Sequence, residues 1–110
     1  MRKCGHSMGG IGTWFLGAKH SHIWAALAAF AGAGAVATVE QMKHLPQFVV
    51  HGDADRTVPV SGSRSMVAEM KKQGMQVTYL EIASGGHSDV VAPNLPAAFQ
   101  FFASHTKRRN

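Results

Sequence analysis

The tightest constraint on this chain lies within its first ten residues, where Gly5-His6-Ser7-Met8-Gly9 is followed at once by Gly10. A serine set between glycines at this spacing reads as a turn that carries a strand straight into a helix. The turn is so tight that the serine is held at strained backbone angles, and the glycines keep Cβ atoms out of the corner. The hydroxyl is thereby lifted clear at the carboxyl end of a sheet. The helix that starts beneath it presents free N–H groups and the positive end of its dipole to any negative charge that develops there. Ser7 is the candidate nucleophile, and the backbone N–H of Met8 the candidate oxyanion donor.

The rest of the chain alternates between strand and helix patterns. Met1 to Cys4 reads as the end of a strand. Met8 to Lys19 reads as a helix, with Ile11, Trp14, Phe15 and Ala18 at helical spacing. Ile23 to Ala31 is an unbroken apolar run that suits a strand buried on both faces, and Thr38 to His44 reads as a short helical connection stopped by Pro46. Gln47 to Val50 makes the next buried strand, closed by His51-Gly52. Ser61 to Gln73 carries Met66, Val67 and Met70 on one stripe of a helix that Gly74 ends. Gln76 to Ile82 alternates like a strand, and Pro93 to Pro96 opens a last helix whose Ala97, Phe99, Phe102 and Ala103 are expected to face the sheet. Such alternation predicts parallel βαβ units: an α/β fold with an open, mostly parallel sheet of about four strands and flanking helices.

In an open parallel sheet, chemistry gathers in the loops that leave the carboxyl ends of the strands. Ser7 follows the first strand, Asp53 and Asp55 the Gln47 strand, and His87 the Val77 strand. Asp55 lies 48 positions after Ser7 (55 minus 7) and His87 lies 32 after Asp55 (87 minus 55), about one βαβ unit each. A serine hydroxyl is a weak nucleophile at neutral pH and needs a base within hydrogen-bond reach. An imidazole takes that proton and returns it to a leaving group, and a buried carboxylate fixes its tautomer. His87 is the candidate base and Asp55 the candidate acid. Asp53 is the rival, with holding backbone amides of the turn as its structural role. Asp89 reads as a local cap or surface carboxylate.

Three blocks, Gly5-His6-Ser7-Met8-Gly9-Gly10, then His51-Gly52-Asp53-Ala54-Asp55-Arg56-Thr57-Val58-Pro59, then Gly85-Gly86-His87, resemble the catalytic blocks of α/β-hydrolase esterases. The dienelactone-hydrolase-like, feruloyl-esterase-like and prolyl-oligopeptidase-like branches are the most similar. The resemblance runs from Gly5 to about Phe102 and implies Ser7, Asp55 and His87 as catalytic residues of a serine carboxylesterase that acts on small esters and needs no cofactor. It also implies about four further strands before the nucleophile turn, and a second oxyanion donor among them. The chain begins at the turn's own strand, so the expected object is the C-terminal half of that fold, either a fragment or a miniature enzyme that completes its sheet by association. A catalytically weak or silent half-domain that pairs with another chain is the alternative function, and homo-oligomers are expected in either case.

Length and composition bound the rest. At 110 residues the chain suits a single domain spanning residues 1–110, with one modest core. No apolar run reaches the length of a membrane span, and the basic start leads into the glycine turn instead of an apolar leader, so a cytoplasmic protein is expected. The net charge of +5 comes partly from Arg2-Lys3 and Lys107-Arg108-Arg109; neither cluster is interleaved with aromatic residues, which argues against nucleic-acid binding. The single cysteine, Cys4, forms no internal disulfide and reads as a small buried strand residue.

The remaining histidines read as structural. His6 is expected to pack beside the serine, and His51 to bond loop backbone. His20, His22, His44 and His105 fall in exposed-looking segments. No carboxylate or cysteine set accompanies His20-Ser21-His22, so no metal is expected. Trp14, Trp24 and the phenylalanines read as core, with one or two available to line an acyl pocket. The substrate-binding residues are not legible at this level.

Overall fold

The computed structural model describes residues 2–105. The basic cluster Lys107 to Arg109 lies outside them. Four strands, β1 (Arg2–His6), β2 (Ala26–Phe30), β3 (Gln47–Gly52) and β4 (Val77–Ile82), form one sheet in the order β1-β2-β3-β4. Every neighbouring pair is parallel. Three helices complete the alternation: α1 (Met8–Lys19), α2 (Ser61–Lys72) and α3 (Leu95–Ser104). Short 3₁₀ turns at Ser21–Ile23, Val36–Met42 and Ala92–Asn94 make the connections. The expected α/β architecture is the one found.

Side-chain alternation along the two central strands divides the interior into two cores. Leu27, Ala29 and Val49 face one way, where Trp14 and Ala18 of α1 and Met66, Val67 and Met70 of α2 cover them. Ala26, Ala28, Phe30, Phe48 and Val50 face the other way, toward Ala98 and Phe102 of α3. All of β2 and β3 is buried, as strands covered on both faces must be. Along β4, Val77 and Tyr79 join the first core while Leu80 and Ile82 join the second.

Several expectations fail in instructive ways. The apolar run Ile23 to Ala31 yields a strand only over Ala26–Phe30, because its start is taken up by the 3₁₀ turn Ser21–Ile23. Helix α1 turns Gly10, Thr13, Trp14, Gly17 and Ala18 inward. Its small residues set how closely it rides on the sheet, and Ile11 and Phe15 are left outside, Phe15 at 62% exposure. In α3 the inward stripe is Ala98 and Phe102, spaced i, i+4, so Phe99 points outward while Ala97 is half-buried and Ala103 exposed. Cys4 is exposed, because β1 is an edge strand with one strand neighbour among the described residues.

Candidate active site

The turn after β1 is built as its glycines require. Ser7 has φ 59° and ψ −115°, a region that costs a non-glycine residue on the order of 1–3 kcal/mol and persists only where the surroundings impose it. Two backbone bonds impose it here: Ser7 N–H donates to Phe30 O of β2 at 2.9 Å, and Ser7 O accepts from Ile11 N–H at 2.9 Å to open α1. A Cβ on Gly5 would overlap the carbonyl of Gly9 and stand 2.6 Å from Thr13 Oγ1. On Gly10 it would stand 2.9 Å from Phe30 O. The crowded corner is therefore Gly5 and Gly10. Gly9, expected to share it, has nothing within 4 Å of its would-be Cβ.

The second and third loops are pressed together by the same means. Gly52 ends β3 so close to Gly85 that a Cβ would overlap the Gly85 carbonyl. Ala54 N–H then donates to Gly85 O at 3.0 Å. Asp53 accepts from Ser84 N–H at 2.7 Å, and Asp89 accepts from Gly86 N–H at 2.7 Å. Both carboxylates thus brace the loop that carries His87.

With the loops so placed, Ser7 Oγ lies 2.7 Å from His87 Nε2, and His87 Nδ1 lies 2.8 Å from Asp55 Oδ2. The carboxylate accepts, so Nδ1 carries the proton, and Nε2 is left to accept from the serine hydroxyl. The other oxygen of Asp55 accepts two backbone N–H bonds, from Thr57 and Val58, each at 2.8 Å. The Asp55 side chain is wholly buried, whereas the His87 ring keeps 19% of its surface open. Burial works against the Asp55 charge. The hydrogen bond from His87, the Val58 and Thr57 amides and the attraction of the imidazole outweigh it, holding the carboxyl below its ordinary range. Met8, whose N–H heads α1, follows Ser7 directly.

The structure thus brings together Ser7, Asp55 and His87 from three separate loops and leaves Asp53 turned to Ser84. Two histidines do more than the sequence showed. His51, fully buried, donates from Nε2 to Val58 O at 2.7 Å and accepts at Nδ1 from Ser63 Oγ at 2.6 Å. Its Nε2 also lies 3.3 Å from Asp55 Oδ2, so the ring sits under the acid and ties its loop to α2. The i, i+4 spacing of His51 and Asp55 is no signal of this contact, because His51 lies in a strand and Asp55 in the loop beyond it. His6, expected beside the serine, instead reaches the carbonyl of His87 at 2.7 Å, a contact 81 positions away with no local signature. Among the described residues, no group of three or more His, Cys, Asp and Glu side chains could hold a metal ion. A shallow apolar cleft of about 130 Å³ opens beside α1, lined by Ile11, Trp14, Phe15 and the segment from Ala33 to Ala35.

No protein-family model and no curated protein sequence matches the chain. Solved structures do. A thermostable esterase matches with a TM-score of 0.90 at 29% identity, over 96% of this chain and 31% of its own. Esterase PE8 matches with 0.75 at 22% identity, over 96% and 50%. An acylaminoacyl peptidase of Pyrococcus horikoshii matches with 0.86 at 15% identity, over 99% and 24%. The chain therefore spans between about a quarter and a half of these proteins. Its strand order, its strand–serine–helix turn and these likenesses give the chain the fold of the α/β-hydrolases.

Proposed function

We propose that the chain carries the nucleophilic centre of a serine carboxylesterase for small esters. The observation that carries this reading is the unbroken hydrogen-bond path from Ser7 Oγ through His87 to Asp55, mounted on a serine held at strained angles at the head of a helix. His87 Nε2 takes the Ser7 proton as Oγ attacks the ester carbonyl. The carbonyl oxygen gains the negative charge, facing the Met8 N–H. His87 then returns the proton to the departing alcohol, leaving an acyl group on Ser7. Water repeats the sequence: His87 removes its proton, hydroxide attacks the acyl carbonyl, and Ser7 leaves with its proton restored. Asp55 stays ionised throughout and stabilises the imidazolium.

A second reading rests on a different observation. β1 has an open edge among the described residues, and α1, which packs on β1 and β2, exposes Met8 (83%), Ile11 (42%) and Phe15 (62%). An unpaired strand edge and exposed apolar side chains each invite another polypeptide. On this reading the chain is a weak or silent half-domain that gains activity by pairing with another chain, a second copy included. Loss of one oxyanion donor costs about 10² to 10³ in rate, so a site with Met8 N–H alone would be slow.

A fluorophosphonate probe and p-nitrophenyl butyrate separate the two. Labelling at Ser7 with turnover by the monomer supports the first reading. Labelling or turnover that appears only in an assembled species supports the second.

A further inference from the structure

We propose that His6 is the positioning residue that holds the base, His87, in register with the nucleophile. The proposal rests on the reading of His87 as the general base. His87 lies in the segment between β4 and α3 that has neither strand nor long helix, and the braces already described, Ala54 to Gly85 and Gly86 to Asp89, fix the residues before it. Both nitrogens of its ring are engaged, but the bond to Ser7 cannot last through the reaction. Once Oγ is acylated it has no proton to give, and His87 must keep its pose to activate water. A support made of atoms that take no part in the chemistry meets that need.

His6 supplies one. Its Nε2 lies 2.7 Å from the His87 carbonyl oxygen, and since a carbonyl only accepts, His6 is the donor. Its ring also lies against the His87 ring, with centroids 4.8 Å apart and planes tilted by 38°. His6 itself is the last residue of β1, in register with Phe30 of β2, whose carbonyl holds the Ser7 N–H. One rigid strand end therefore fixes both partners: Ser7 through the backbone and His87 through the His6 side chain. The base is referenced to the nucleophile by a path that neither acylation nor deacylation breaks.

Two substitutions divide the contact. In His6→Gln the amide Nε2–H stands in for the imidazole donor while the ring is lost; in His6→Phe the ring stays and the donor is lost. The readouts are steady-state and burst kinetics on p-nitrophenyl butyrate and the low-field proton NMR resonance of the His87 Nδ1–H. We expect His6→Phe to lower kcat roughly tenfold, the scale of one lost hydrogen bond, with KM little changed. A burst of p-nitrophenol should appear as deacylation becomes slower than acylation, and the low-field resonance should broaden. His6→Gln should keep most of the rate and a sharp resonance. Wild-type kcat with a sharp resonance in His6→Phe, or equal losses in both variants, would overturn the proposal. So would a wild-type protein with no low-field resonance. If His6→Phe does not fold, His6→Asn, whose shorter amide stops short of the carbonyl, replaces it. If the wild type neither turns over nor labels, the esterase reading fails, and the resonance still decides the positioning: lost without the donor and kept with it, or unchanged in both.

Discussion

The carboxylate of Asp55 divides its two oxygens, giving Oδ2 to His87 Nδ1 at 2.8 Å and Oδ1 to two backbone N–H groups of its own loop. The second set of bonds leaves the carboxylate no freedom to turn away from the first. Asp53, two residues earlier, is committed to Ser84 and cannot take its place.

Asp55→Asn is therefore expected to lower kcat for p-nitrophenyl butyrate by roughly 10³ to 10⁴, because the amide presents the wrong group to Nδ1 and stabilises no imidazolium. Asp53→Asn should cost severalfold at most, through a looser His87 loop. A larger loss from Asp53→Asn than from Asp55→Asn would assign the acid wrongly.

The same bonds make stability depend on acid. Asp55 is held below the ordinary carboxyl range; so is Glu81, pulled down to about 2 by hydrogen bonds from Arg64 and Tyr79. A folded-state pKa below the unfolded one means that the folded chain binds protons more weakly. The stability from these groups is complete above about pH 4, where unfolded carboxyls ionise, and is lost as pH falls through the folded values. Thermal unfolding followed from pH 5 down to about pH 2 should fall steeply in the wild type and less steeply in Asp55→Asn with Glu81→Gln. An unchanged slope in the double variant would contradict this.

At the nucleophile turn, the glycines are expected to differ sharply. Gly5→Ala places a methyl against the Gly9 carbonyl and Thr13, and should destabilise by about 3 kcal/mol or more or prevent folding. Gly9→Ala meets open space inside α1 and should be neutral, or stabilising by up to about 1 kcal/mol. Denaturant titrations of the two proteins check the order.

Much of this was legible in the residues. The alternation of strand and helix patterns gave the sheet, and the chain order of Ser7, Asp55 and His87 located the loops that meet. What escaped was set by contacts distant in sequence. Ile11 and Phe15 match an inward stripe by hydropathy, yet Gly10, Thr13 and Gly17 win the sheet face because they allow a closer approach. Cys4 reads as core until β1 proves to lie at the edge. The reach of His6 to His87 spans 81 positions, which no local pattern encodes.

The 48 positions between Ser7 and Asp55 are filled by α1, β2, β3 and their connections, leaving no room for a lid domain. Butyryl esters are expected to turn over faster than palmitoyl esters at equal soluble concentration. The reverse order would place a long-chain site that this reading lacks.

The proposed activation of Ser7 through His87 and Asp55 is tested by fluorophosphonate labelling followed by peptide mass mapping of the wild-type protein and the Ser7→Ala, His87→Ala and Asp55→Asn variants. A single adduct on Ser7 is expected in the wild type, none in Ser7→Ala, and labelling slowed by at least about 10³ in the other two. Labelling of another residue, or Ser7 labelling that is indifferent to the loss of His87, would contradict it.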